Sequence, residues 1–225
     1  MKKVLKVFVL TLILTLCAAS ATVFAKSSYK TGLKKISEAI SGYEYSLLFS
    51  YQQMSYEEDN NLDVSKDGTI NVKLNKDLMT RAAILSSLNN SEELECLGYE
   101  DLGYGEKYWY SVNKEFKDQG MKLFGKKLKA SYLSSENYSV WDAYKDEKYG
   151  PCIFDYIVET DTGFEYKKES YSKKGKKYYI KKQAYFGHWS QVDGPANVEI
   201  VYTCKKSSKS EFGYVITGIT IKSIN

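Results

Sequence analysis

"VEIVYTCK", residues 198–205, alternates: Val198, Ile200, Tyr202 and Cys204 fall on one side, and Glu199, Thr203 and Lys205 on the other. A period of two with this contrast marks a half-buried strand. The same period runs from about residue 138 to the C-terminus. It predicts strands near 138–144, 152–160, 164–171, 177–188, 197–205 and 213–223. Turn chemistry separates them at Asp161-Thr162-Gly163, Lys174-Gly175, Asp193-Gly194-Pro195 and Phe212-Gly213. Before residue 138 the period is nearer four. Leu33, Ile36, Ile40, Tyr43, Leu47, Tyr51 and Met54 step by three or four and line one face of a long helix. A second helix is predicted over 76–88, with Asn75 as its N-cap and Leu78, Ala82 and Leu85 on one face. A third is predicted over 112–127, capped by Ser111 and burying Val112, Phe116, Leu123 and Phe124, with Gly125 in its last turn. Residues 57–69 and 89–106 read as loops. Helices first and strands afterwards give an α+β class: N-terminal helices packed on a C-terminal, curled antiparallel meander of about five to six strands.

The order resembles the cystatin-like or steroid-isomerase-like roll. The helix ending "MKLFGKKL", residues 121–128, before a meander also resembles uncharacterised signal-peptide proteins of Gram-positive bacteria. The resemblance covers about residues 74–225 as a pattern. It implies a fold and no activity, because such rolls host enzymes and inert binders alike.

Residues 1–25 read as a secretory signal peptide. Lys2, Lys3 and Lys6 precede an apolar run from Val7 to Leu16, and Val23-Phe24-Ala25 ends in a small residue suited to cleavage. Leu14-Thr15-Leu16-Cys17 approaches a lipoprotein box, but Leu16 is large where a small residue is needed, so plain secretion is expected over a lipid anchor at Cys17. Residues 26–60 then form an N-terminal helix segment and 61–225 the α+β domain. No later stretch is apolar enough to span a membrane.

The leader holds three of the 32 basic residues and no acid, which leaves 29 against 28 acidic residues in the mature chain. That balance argues against nucleic acid as a partner. Arg81 is the only arginine. Cys96, Cys152 and Cys204 remain after cleavage, an odd count with no C-x-x-C pair, and so neither a disulfide scaffold nor a zinc site by spacing.

Few motifs carry chemistry. Asp161-Thr162-Gly163 matches an aspartic-protease triplet, but Thr160 and Phe164 flank it wrongly and a hairpin turn accounts for it. "DVSKDGTINVKL", residues 63–74, places Asp63, Ser65, Asp67 and Gly68 as a calcium loop would, with Thr69 and Asn71 continuing the shell. Leu74 stands where a bidentate carboxylate is required, so weak or no calcium binding is expected. His188, the only histidine, has no nucleophile motif to serve. With Tyr185 and Trp189 it reads as an aromatic rim and candidate contact surface. The hairpin "KKGKKYYIKK" carries Lys173, Lys174, Lys176, Lys177, Lys181 and Lys182 without an acid and reads as a solvated basic patch able to meet anionic wall polymer. The 21 tyrosines suit sheet faces and contact surfaces.

No pattern calls for a catalytic residue, a metal or a cofactor. The expected protein is exported and non-catalytic, binding a protein or glycan at the cell envelope. The alternative is an enzyme with a pocket in the mouth of the roll, using Asp155 or Asp142 as a base, with or without His188.

Overall fold

The stripe on the first helix is buried as its spacing predicts. In the computed structural model, which describes residues 29–49, 68–88, 94–137, 139–158, 162–191 and 193–224, helix α1 spans 29–49. Leu33, Ile36, Ile40, Tyr43 and Leu47 are all buried in the core cluster, while Lys34, Lys35 and Glu38 face water. Tyr51, Met54, the leader with Cys17, the acidic end of the calcium-like loop and Asp161 lie outside the described residues.

Strand β1 (Thr69–Val72) precedes α2 (Lys76–Ser87). The Asn75 side chain accepts from the N–H of Leu78 at 2.8 Å, capping α2 as expected. Strands β2 (Cys96–Asp101) and β3 (Gly105–Ser111) follow, then α3 (Phe116–Phe124), which ends at Gly125 in the left-handed conformation. The remaining strands are β4 (Trp141–Asp146), β5 (Gly150–Val158), β6 (Thr162–Lys174), β7 (Lys177–His188), β8 (Val198–Lys206) and β9 (Tyr214–Ser223).

The α+β class holds, and the six expected strands form where period two places them. They divide between two antiparallel sheets, one of five strands in the order β1-β9-β8-β7-β6 and one of four in the order β2-β3-β5-β4. Strand β2 and the first residues of β3 occupy the stretch 89–106 read as loop. Strand β3 ends on Ser111, the residue assigned to cap the third helix, and that helix starts later than expected, at Phe116. Ser111 therefore pairs with Cys152 instead of capping α3, whose first turn has no side-chain cap. The cause lies in the side chains: Tyr108, Trp109 and Tyr110 put aromatics on both faces, which erases the contrast that betrays a strand.

Helix α1 lies on the inner face of the five-stranded sheet, formed by Tyr178, Ile180, Lys182 and Ala184 of β7, Ile200, Tyr202 and Cys204 of β8, and Ile219 and Ile221 of β9. Helices α2 and α3 pack together, α3 against β9 and α2 against β4, and so join the two sheets. Ala143 and Ile153 bring the small sheet into the same core cluster.

The start of α1 sits close against the β8–β9 loop. A Cβ at Gly32 would stand 2.4 Å from the Phe212 carbonyl oxygen and 2.7 Å from the Tyr214 ring. Alanine would gain up to ~1 kcal/mol from helix propensity, but the clash falls on backbone and a ring. Gly32→Ala is therefore expected to destabilise the fold by about 1–3 kcal/mol in urea titration, and an unchanged or raised midpoint would refute the close approach.

Candidate functional site

Glu44 follows the apolar residues of α1 into the core and has no exposure to water. Directly opposite, Lys182 shares the inward parity of Ile180 and Ala184 and is 3% exposed. Its Nζ donates to Glu44 Oε2 at 3.0 Å and to the Ser37 carbonyl at 3.0 Å, and lies 4.8 Å above the Tyr166 ring. The Tyr202 hydroxyl donates to Glu44 Oε1 at 2.5 Å, and that of Tyr166 donates to Oε2. A bulge between Tyr166 and Lys168 shifts the parity of β6, so that Tyr166 before it and Glu169 after it pair with the inward-facing Ala184 and Lys182. Burial raises the Glu44 carboxyl, opposed by the Lys182 charge and the Tyr202 hydrogen bond. Burial, then the neighbouring Glu44, raises the Tyr202 hydroxyl well above its ordinary range. A general base needs a lone pair within reach of a substrate proton. Both oxygens of Glu44 are engaged by the protein, so the cluster is a closed clamp between helix and sheet.

The lone arginine makes a second buried joint. Arg81 Nη1 donates to Asp142, Nε to Asp77 at 3.0 Å, and Nη2 to Ser134 Oγ at 2.8 Å and the Glu136 carbonyl at 2.6 Å. This fork needs a planar guanidinium, which lysine does not supply. Two carboxylates share one cation. Burial pushes Asp142 up to about 7, with Arg81 and the Ala143 N–H pulling the other way and Asp77 adding to the rise. Asp142 is therefore a structural partner of Arg81, closed to any substrate.

The small sheet is different. One face carries Tyr99, Tyr108 and Tyr110, with ring centroids 5.0 Å and then 5.9 Å apart, the last two rings stacked within 10°. Glu106 accepts from the Tyr99 hydroxyl at 3.2 Å and from that of Tyr108 at 2.8 Å. The hydrogen bond to Glu106, then burial, raises Tyr108 to about 12. Asp155 pairs across the strands with both Tyr108 and Trp141, and burial raises its carboxyl. Near Ile153 and Ala143 this face meets the core. Farther out it is open, with Tyr99 51% and Ile157 52% exposed.

The opposite face holds a second aromatic group. Phe154 is buried yet stands outside the main core cluster, covered by Trp109 at 5.6 Å and Tyr144 at 6.0 Å. Trp109 also meets Tyr149 at 5.5 Å, and the Tyr149 ring lies over Gly98, where a Cβ would stand 2.1 Å from its hydroxyl. Trp109 Nε1 donates to the Tyr144 hydroxyl at 3.1 Å, which donates to Asp146 at 2.6 Å. Burial alone would raise Asp146, but hydrogen bonds from Tyr144 and the N–H groups of Tyr149 and Lys148 hold it below its ordinary range.

The residues singled out from the sequence fall into two sets. Lys173, Lys174, Lys176 and Lys177 are exposed at the β6–β7 hairpin tip, and Lys181 points outward to Glu199 at 3.2 Å. Lys182 corrects the basic patch: its even parity turns it into the core. Tyr185 is not a surface residue either. It is buried on the outer face of β7, and its hydroxyl donates to the His188 carbonyl at 3.0 Å. His188 is exposed, with Nδ1 2.7 Å from Ser190 Oγ, and the side chain of Trp189 lies outside the described residues. Asn71, from the calcium-like loop, sits in β1 and accepts from the Thr220 hydroxyl at 3.2 Å. The three cysteines are free, Cys96 exposed and the others buried, and burial pushes Cys152 up to about 11 and Cys204 to about 12. No group of three or more metal-binding side chains forms among the described residues.

Sequence reasoning missed Glu44, and it read the tyrosines as suited to sheet faces and contact surfaces without placing Tyr99, Tyr108 and Tyr110 on one face. Glu44 was detectable from its spacing, four residues after Ile40 and three before Leu47 on the buried stripe, facing a lysine of inward parity. Comparison with protein-family models, curated proteins and solved structures gives no match. Function is therefore read from this chain's own residues.

Two measurements check the buried charges. Glu44→Leu and Lys182→Met each leave an uncompensated charge and should cost about 3–5 kcal/mol by chemical denaturation. The double variant should cost less than either, whereas additive losses would show that the pair is not coupled. The second concerns pH. The Asp142 pKa in the folded chain, about 7, lies above its ordinary 3.8, so between these values the folded state holds a proton that the unfolded chain has lost. This group's contribution to stability therefore falls as pH rises through that window. Asp142→Asn should flatten that part of the pH–stability curve, and an unchanged slope would refute the shift.

Proposed function

We propose that the chain is an exported, non-catalytic binding protein of a bacterial cell envelope, and that the small sheet is its contact surface. The observation that carries this reading is the open tyrosine face, with Tyr99 half exposed beside Tyr108 and Glu106. Tyrosine gives a large, rigid contact area at low entropic cost, with a hydroxyl for polar recognition. The engaged state of Glu44 and Asp142 favours binding over hydrolysis. The leader-like residues 1–25 support export, with plain secretion preferred to a lipid anchor at Cys17. The exposed hairpin lysines 173, 174, 176 and 177 would add salt-sensitive attraction to an anionic wall polymer. The enzyme reading retains one residue, Asp155, whose carboxyl is raised by burial on the tyrosine face.

The test is retention of the mature chain on envelope fragments. Wild type should be retained, and Tyr99→Ser with Tyr108→Ser should weaken retention about tenfold, the equivalent of ~1.4 kcal/mol, without moving the thermal melt. Absence of retention, or retention indifferent to both tyrosines, would end this reading.

A further inference from the structure

The β8–β9 loop closes a cleft of about 370 Å³ against all three helices. Ser86 at the end of α2 and Gln119 of α3 both line it, and both are more than nine-tenths buried. Ser86 Oγ and Gln119 Oε1 are the buried side-chain polar atoms that lack a hydrogen-bond partner among the described residues. Gln119 Nε2 donates to the Ser86 carbonyl at 3.1 Å, which fixes the amide and leaves Oε1 as the free acceptor. Buried polar atoms in folded proteins are almost always paired, and an exception at a cleft calls for a partner brought from outside.

The chemistry of that partner follows from the walls. Gln119 Oε1 requires a donor, and the Ser86 hydroxyl accepts or donates, so ligand hydroxyls, which do both, match the pair. The rim carries Lys35 and Lys122 against Glu38 and Glu211, with Lys122 and Glu211 paired at 3.1 Å. Equal opposite charges select neither an anion nor a cation. Phe212 adds an apolar wall suited to the C–H face of a sugar ring.

We propose that this cleft binds a neutral, hydroxyl-rich ligand of monosaccharide size. Neither oxygen is open to solvent in this conformation, so seating the hydroxyl includes a side-chain shift at Gln119 or Ser86, a common adjustment on binding. The ligand is a free sugar or the terminal unit of a glycan. The site shares no lining residue with the tyrosine face.

Calorimetry of the mature chain against N-acetylglucosamine, methyl glucoside and the β-linked dimers of N-acetylglucosamine and of glucose tests it, with glutamate and lysine as charged comparators. A neutral sugar should bind, at least about tenfold weaker in Gln119→Leu and in Ser86→Ala and unchanged in Tyr99→Ser. Binding by the dimers alone would assign the glycan end as source, and binding by monomers the free sugar. Ser86→Ala should also raise the melting temperature of the unliganded protein, because it removes an unpaired buried oxygen. Absence of sugar binding, equal binding of the charged comparators, or full affinity in both variants would overturn the proposal.

Discussion

A carboxylate removed from water must be answered by the protein, and Glu44 is answered by three donors. Lys182 supplies the charge, Tyr202 and Tyr166 supply hydroxyls, and Ser37 holds the ammonium from behind. The partners come from one helix and three neighbouring strands, so their geometry sets how α1 is rotated and seated on the sheet. It also sets register. A one-residue slip of β7 would turn Lys182 to solvent and strand Glu44 in the core, a penalty far above that of a misplaced methyl group. An apolar pair would hold the layers together without choosing among nearby seatings, and the ion pair chooses one.

Arg81 does the corresponding work between the helices and the small sheet. Its fork reaches Asp77 on its own helix and Asp142 on β4, and the segment at Ser134 and Glu136 is fastened on the way. With these two joints in place the small sheet need not bury both faces. Its aromatics pack on one another instead, around Phe154 on one side and along Tyr99, Tyr108 and Tyr110 on the other. In the binding reading proposed above, this frame with rings at its edge is the contact surface.

The sequence disclosed these features unevenly. Where one face met the core and the other met water, as in α1, or was less covered, as in β8, period alone placed the element and its buried side. Helix α2, buried all round from Met79 to Ser87, was placed by its cap and its apolar residues. Asn75 was legible as a cap because its chemistry is local. Where both faces carried aromatics, as in β3, the pattern had no contrast to read. The division into two sheets was invisible because it depends on which strands find each other across long separations. Lys182 was misread with its neighbours for a related reason: six lysines in ten residues look like one solvated patch, and only the parity of Ile180 and Ala184 separates the one that turns inward.

That separation is also the most direct experiment. Brief acetylation of the folded protein with an amine-reactive ester, read by peptide mass spectrometry, compares Lys182 with its hairpin neighbours in one sample. Lys173, Lys174, Lys176, Lys177 and Lys181 should react quickly, and Lys182 should stay protected until the protein unfolds. If Lys182 in the folded protein reacts as fast as Lys181 beside it, the clamp with Glu44 does not exist and the seating of α1 has another cause.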